Sequence, residues 1–343
     1  MKLTENLRER YSRMLALRDF SEEDMETVMK TTVAMVGAGG LGSPALRLLA
    51  AIGFGRIMIV DRDVVELSNI QRQTVYNTKD IGRPKAEAAA ENLEMMNPNV
   101  EYEPICASIS EGNSVDILRG ADIIVDGLDS FKARRALNRA SLSLSIPYVF
   151  AGAVEYYANL STFVPGETGC LQCVMGNAED NPENTCARVG VSPTLLSIAS
   201  SVQVNEALLV ATGRTPHLAN HLMAVEISTM SFDVFDIGRV EDCPECSHPQ
   251  KRPAAREEEV SATLLCSNSY NVTPPADAEV DLDYLHAKLA KHVSVKRSKR
   301  ALSITFSEGP RVTLMAGGNA IVKNVSSADE AKEYYMRATN PAD

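Results

Sequence analysis

The chain holds 343 residues, which at ~100–200 residues per domain is room for two domains or one large domain with an appendage. Apolar residues make up 45% and charged residues 23%, enough core-forming material to exclude disordered and fibrous classes. The formal charge of −11 argues against a protein built to grip a phosphate backbone; with a charged start, MKLTENLRER, and no uninterrupted apolar run of ~18 residues, neither signal peptide nor membrane span is expected.

In chain order, Val33–Val36 predicts a short buried strand feeding Gly37-Ala-Gly-Gly-Leu-Gly42. A helix over residues 43–53 ends at Gly53, and Ile57–Val60 forms the next strand, closed by Asp61. Strand, glycine turn, helix and strand with an acidic end make one βαβ unit. Pro84–Met96 reads as a helix with Pro at its first position and a stop at Asn97-Pro98. Asp122–Val125 is a further buried strand, ending at Asp126-Gly-Leu-Asp129, with a helix over 131–145. Strands are expected at Tyr148–Ala153 and Leu160–Val164, and a long, mostly apolar helix at Ser192–Gly213.

The charged run Lys251–Val260 separates a first domain, 1–250, from a small α+β unit, 261–343. In that unit the pattern predicts a strand near 263–266, a helix over 281–291, strands over 293–307 and 311–323, and a terminal helix over 327–338. It carries ten Lys or Arg against nine Asp or Glu, so the negative excess belongs to the first domain. The basic hairpin Lys296–Arg300 could contact an acidic carrier protein or RNA, but reads more simply as a solvated strand edge protected by charge.

Gly37, Gly39 and Gly42 fit G-x-G-x-x-G, a loop whose backbone N–H groups and helix N-terminus meet phosphate. Asp61, 19 residues after Gly42, can accept bonds from ribose hydroxyls. These features serve NAD, FAD and ATP equally. The next stretch separates them: Ser68-Asn-Ile-Gln-Arg72 and Gly82-Arg-Pro-Lys85 set cations just beyond the second strand. A lysine in a helix's first turn opposes the macrodipole by about 0.3–1 kcal/mol, and an anion bound there would offset that. Several cations beyond a glycine loop suit a triphosphate whose pyrophosphate must leave. Asp126 and Asp129 stand at the edge where open α/β sheets place ligands. Asp129 fits a magnesium ligand and Asp126 a turn former.

Taken together, Arg10-Tyr-Ser-Arg13, the Gly37–Gly42 loop, Asp61, Ser68–Arg72, Gly82–Lys85, Asp129 and two C-x-x-C pairs resemble the ubiquitin-activating superfamily, in the prokaryotic branch typified by MoeB, ThiF and HesA. The resemblance spans residues 5–248. It implies a mixed-sheet, Rossmann-like α/β fold and a reaction in which ATP adenylates the C-terminal Gly-Gly carboxylate of a ubiquitin-like sulfur carrier (MoaD, ThiS or an archaeal modifier), releasing pyrophosphate. By the same resemblance Gly37, Gly39, Gly40 and Gly42 cradle the nucleotide and Asp61 holds the ribose. Asn69, Arg72 and Lys85 contact phosphates, in a nucleotide-binding set that includes Ser68, Gln71 and Ser130, and Asp129 holds magnesium. Arg13 would reach across a homodimer to the partner's ATP. The family's Asp-Asn is Asp129-Ser130 here, so a tuned contact is expected.

Seven cysteines, an odd number, point to a reducing, cytoplasmic setting. Cys170/Cys173 and Cys243/Cys246 form a thiolate quartet suited to tetrahedral, structural zinc, and the 69 residues between the pairs make it a clasp of distant segments. Cys186 lies in a polar crossover, 175–192, expected to cover the site and to move until the carrier binds. In relatives that form thioesters or move sulfur, a cysteine there attacks the acyl-adenylate, and Arg188 could lower its pKa. Cys106 and Cys266 read as packing residues.

Three other readings compete. A tRNA-carboxyl-activating enzyme, related to the threonylcarbamoyladenosine dehydratases, would call for a basic face that the acidic first domain lacks, so nucleic acid is not the expected partner. A non-enzymatic nucleotide-binding scaffold would leave Arg72, Lys85 and Asp129 dispensable. A nicotinamide dehydrogenase would need a hydride-transfer acid/base pair, which is not evident.

Overall fold

The computed structural model describes residues 2–180, 186–247, 260–264, 269–274 and 280–341. Three short helices, α1 (Glu5–Arg10), α2 (Ser12–Leu15) and α3 (Glu22–Val28), lead into β1 (Thr32–Val36), α4 (Gly42–Ile52) and β2 (Arg56–Val60). Next come α5 (Lys85–Met96), β3 (Glu101–Ile105), α6 (Ser114–Leu118), β4 (Ile123–Asp126) and α7 (Phe131–Leu144). The chain continues through β5 (Tyr148–Val154), β6 (Tyr157–Phe163), α8 (Leu171–Met175), α9 (Cys186–Val189), α10 (Pro193–Ala211), β7 (His221–Glu226) and β8 (Ser231–Asp236).

These strands form one eight-stranded mixed sheet in the order β3-β2-β1-β4-β5-β6-β7-β8. Pairing is parallel from β3 to β5 and antiparallel from β5 onward. The apolar runs at Val33–Val36 and Ile57–Val60 are buried on both faces, as parallel strands between helix layers must be. In register, Val36 lies beside Val60 on one side and Asp126 on the other. The loops that follow β1, β2 and β4 therefore leave the same sheet edge. Gly53 ends α4 at φ +94°, and a β-carbon there would collide with the Tyr11 phenol. The α10 helix is long and apolar enough to cross a membrane, but here it packs against α4 and β5. Pro84 precedes α5 as its cap instead of occupying the first helical position.

The C-terminal part comprises β9 (Ser261–Leu264), β10 (Tyr270–Thr273), α11 (Leu282–Leu289), β11 (Ser294–Arg297), β12 (Ala301–Thr305), β13 (Arg311–Met315), β14 (Ala320–Lys323) and α12 (Ala328–Thr339). Its six strands form an antiparallel sheet, β11-β12-β13-β14-β10-β9. The two long strands expected over 293–307 and 311–323 are each a hairpin, and β10 was not foreseen. Lys296–Arg300 ends the edge strand β11 and turns into β12, as the reading of a charged edge requires. Alternation assigns the two faces. Leu302, Ile304, Val312, Leu314 and Val322 pack in a cluster with residues of α11 and α12. Ala301, Met315 and Ile321 join the main core containing Ile59, Val64 and Cys106. The second sheet thus shares buried surface with the first. Most of the linker and Cys266 lie outside the described residues.

Candidate active site

The glycine loop is fastened from every side. Gly37 N–H donates to Val60 O at 2.7 Å and Gly127 N–H to Val36 O at 2.7 Å. Ala38 N–H donates to Asp61 Oδ2 at 2.7 Å, while Ala38 O accepts from the buried Tyr76 hydroxyl at 2.9 Å. Ser200 Oγ on α10 donates to Leu41 O at 2.6 Å. A β-carbon at Gly37 would stand 2.5 Å from Gly127 O, and one at Gly42 1.8 Å from Gly37 O. At Gly40 it would meet the Leu196 side chain at 2.8 Å. Gly39 differs, since its nearest neighbour would be Gln73 Nε2 at 4.0 Å. Among the described residues no protein acceptor meets the N–H groups of Gly39, Gly40 or Leu41. Three free donors at the start of an eleven-residue helix form an anion cradle.

Beside the cradle, Lys85 opens α5 with only 6% of its surface exposed. Its Nζ lies 3.1 Å from Asp63 Oδ2. Asp63 and Asp61 already offset part of the cost expected for a cation in this first turn. Burial alone would lower the ammonium's pKa, but Asp63, Asp61 and Asp129 raise it above the ordinary lysine value. Burial pushes the Asp61 carboxyl up against the pull of Lys85. For Asp63, burial is outweighed by Lys85 and Arg62, and its pKa is lowered. Asp61 also receives Asp63 N–H on Oδ1 at 2.7 Å, so it braces the loop as well as facing the site.

Of the remaining predicted residues, Asn69 is buried in a 3₁₀ turn, Leu67–Asn69, where its Oδ1 accepts from Glu66 N–H at 3.0 Å. That leaves its amide nitrogen for a ligand. Arg72 donates from Nη1 to Ser68 O at 2.8 Å, and Ser68 and Gln71 are exposed. Arg13 is exposed on α2, and within one chain it contacts none of these groups among the described residues. Two neighbours escaped sequence reasoning: Asp63, and Gln73, which is 3% exposed with a buried, unpartnered Oε1. Asp63 lies two residues beyond Asp61 and Gln73 directly follows Arg72, but nothing in their spacing marks them.

At the end of β4, Asp126 is fully buried and accepts from Tyr148 Oη at 2.6 Å, Arg134 Nε at 3.1 Å and Leu128 N–H at 2.8 Å. It is the turn former expected, with a buried ion pair added. Arg134 also donates to Leu128 O at 2.6 Å and Ala151 O at 2.9 Å, pinning the turn that carries Asp129. Asp129 is exposed, and its charge reaches both Lys85 and Arg134. Ser130 caps α7 by accepting from Ala133 N–H at 3.4 Å.

The four paired cysteines converge, their sulfurs all within 4.8 Å of one another. Cys170 Sγ and Cys243 Sγ are 3.8 Å apart, Cys173 Sγ and Cys246 Sγ 3.5 Å. Zinc–sulfur bonds of ~2.3 Å at tetrahedral angles give edges of ~3.8 Å, whereas disulfide sulfurs would be ~2.05 Å apart. Burial pushes the Cys170 thiol up, and burial with a hydrogen bond to Cys173 pushes Cys246 up to about 11. At Cys173 burial is outweighed by hydrogen bonds, which lower the pKa, and four sulfurs at this spacing are a donor set that fits zinc. Cys186 begins α9, but its side chain lies outside the described residues, as do positions 181–185 of the crossover. The nearer part of that segment is tied to α7, with Phe131 N–H donating to Asp180 Oδ1 at 2.7 Å. Cys106 is buried, its thiol raised to about 12 first by burial and then by Glu87, as a packing residue would be.

An anion cradle, a loop-bracing carboxylate and a buried lysine at one edge of a Rossmann-like sheet define a nucleotide-binding α/β protein. The chain belongs to the ThiF family, whose model matches residues 11–246. It is 34% identical over 239 residues to the SAMP-activating enzyme E1 of Haloferax volcanii, covering 69% of this chain and 88% of that protein. Over 263 residues it is 34% identical to the sulfur carrier protein adenylyltransferase of Thermus thermophilus, covering 75% and 96%. The sulfur carrier protein ThiS adenylyltransferase of Bacillus subtilis is 29% identical over 341 residues, 96% of this chain and 98% of that protein. In fold the chain is similar to crystal structures of Escherichia coli MccB, one with a TM-score of 0.63 at 23% identity over 71% of this chain and 73% of that one.

Proposed function

We propose that the chain uses ATP to adenylate the C-terminal Gly-Gly carboxylate of a ubiquitin-like sulfur carrier. The carboxylate oxygen attacks the α-phosphorus, forming an acyl–phosphate bond. The bond from that phosphorus to the β-bridging oxygen breaks, and pyrophosphate departs with the electron pair. The carrying observation is the set of free N–H groups at Gly39, Gly40 and Leu41 beside Asp61, Asp63 and Lys85. The naming of relatives as sulfur carrier adenylyltransferases supports the choice of substrate.

In this reading the cradle and Asn69 hold phosphate oxygens, Asp61 accepts from the ribose, and Ser68, Gln71 and Ser130 line the rim. Lys85, held charged by its carboxylates, and Arg72, released from Ser68 O, stabilise charge on the leaving pyrophosphate, the largest kind of catalytic contribution. Asp129 is exposed at the site and is the group we assign to magnesium, which takes one or two carboxylates plus phosphates and supplies further charge neutralisation when bound. The four cysteines hold structural zinc. Arg13 acts from the partner of a homodimer, since among the described residues of its own chain it meets no site residue. Cys186 serves a later step, its sulfur attacking the acyl carbon as AMP leaves. Reduced thiols suit a cytoplasmic setting.

The test is ATP–pyrophosphate exchange with candidate Gly-Gly-terminated β-grasp carriers. Exchange is expected to require the carrier, its last glycine, magnesium and Asp129, and to vanish in Asp129→Ala. Exchange without a carrier, or undiminished in Asp129→Ala, would sink the proposal.

A further inference from the structure

The C-terminal sheet meets the first domain where the loops after β2 and β3 emerge. Lys323, the last residue of β14, forms an ion pair with Glu66. Asn271 of β10, 2% exposed, donates to Ser108 Oγ at 3.1 Å. A β-carbon at Gly317 would stand 3.6 Å from Cys106 O, and Met315 and Ile321 share the core with Val64. Glu66 immediately precedes the 3₁₀ turn of Asn69, and donor–acceptor bonds join the two residues both ways: Glu66 N–H to Asn69 Oδ1, and Asn69 N–H to Glu66 O, each at 3.0 Å. Arg72 N–H in turn donates to Asn69 O at 3.1 Å. A single chain of contacts thus runs from Lys323 through Glu66 and Asn69 to Arg72.

We infer that Lys323 is a positioning residue for the nucleotide: through Glu66 it fixes the turn that presents Asn69 and Arg72 to the phosphates, so that the C-terminal sheet forms part of the ATP site. The inference rests on the adenylation reading. Two physical effects support it. The pair is partly buried, with side-chain exposures of 29% and 21%, so water screens it less than a surface pair. Lys323 also joins Lys85 and Arg62 in countering the charge gathered at Asp61, Asp63 and Glu66, and its field lowers the pKa of Asp63. A polyphosphate approaching that loop meets less repulsion with Lys323 in place.

The experiment measures ATP affinity of the full-length chain by titration calorimetry, beside its thermal midpoint. Lys323→Ala is expected to raise the Kd for ATP about tenfold with Tm held within about 2 °C. Lys323→Arg should restore affinity to within about twofold, since the guanidinium can keep the pair. Glu66→Gln should weaken binding similarly, and the double variant Glu66→Gln/Lys323→Ala should be no weaker than either alone, as expected of partners in one contact. Unchanged ATP affinity in Lys323→Ala would overturn the inference while leaving the adenylation reading intact. So would an equal loss in Lys323→Ala and Lys323→Arg accompanied by a fall in Tm. A wild-type chain that binds no ATP would remove the adenylation reading itself.

Discussion

A β-carbon at Gly42 would stand 1.8 Å from the Gly37 carbonyl oxygen, whereas one at Gly39 would find nothing nearer than 4.0 Å. The first glycine is demanded by the chain and the second by what the chain binds. Gly42→Ala should therefore cost about 1–3 kcal/mol as overpacking against backbone, seen as a lower denaturation midpoint. Gly39→Ala should keep the wild-type midpoint and lose ATP binding, because its methyl group takes the room left for the ligand. Equal stability loss in both would refute the distinction. Lys85 makes a second case. Lys85→Met takes from Asp61 and Asp63 the buried cation they share, leaving Arg62 and Lys323 acting on Asp63, and exchange should fall by about two orders of magnitude. Both carboxyls would then be raised relative to wild type. A carboxyl whose folded pKa is raised in this way loses folded-state stability, relative to wild type, as pH rises through that pKa. The stability gap from wild type should accordingly be widest at neutral pH and narrow toward about pH 4, which denaturant unfolding at both conditions would reveal.

The junction of β4 and α7 depends on one buried ion pair. Arg134→Met strands Asp126 in the core with Tyr148 and one backbone N–H as remaining partners, and should cost about 3–5 kcal/mol. It should also weaken ATP binding, since Leu128 O and the Asp129 turn lose their anchor; a variant as stable as wild type would contradict this account. How legible these elements are follows from burial. Val33–Val36, Ile57–Val60 and Ile123–Asp126 are doubly covered strands, so their apolar runs are visible in the sequence, and Gly42 and Gly53 mark the helix between the first two. The β3 strand, Glu101–Ile105, is a sheet edge containing Pro104 with every residue partly or wholly exposed, and no apolar run announces it. In β8, Phe232, Val234 and Phe235 are exposed, which breaks the usual link between apolar residues and burial. The turn at 298–300 is legible in the basic run Lys296–Arg300, whereas the turn at 316–319 is hidden because the strands beside it are only five and four residues long.

On the scale of the molecule, the invisible part is what distant segments do to one another. Lys323 and Glu66 are 257 positions apart, and neither stands out alone. Arg13 carries the longest-range expectation. If it completes the partner's site, mixing Arg13→Ala chains with Asp129→Ala chains restores one sound site in every mixed dimer. After random exchange of subunits about a quarter of wild-type exchange activity should return. If it acts within its own chain, the mixture stays inactive, and sedimentation with the two variants differently labelled confirms that mixed dimers formed.

The cysteine quartet joins points 73 residues apart, and that span contains α10, whose Ser200 holds Leu41 O and whose Leu196 lies against Gly40. Closing so long a loop removes unfolded-chain entropy worth about 4 kcal/mol by analogy with a covalent cross-link. In topological terms the helix roofing the glycine loop is an excursion knotted off at its base. Stripping the metal with a chelator at neutral pH should untie that base and loosen the roof, so ATP affinity should fall together with Tm and return on adding zinc. Affinity that survives chelation would mean the roof stays seated by its own packing. If affinity and Tm do fall together, a shortage of zinc in the cell would show itself in this protein as lost nucleotide binding as well as lost stability.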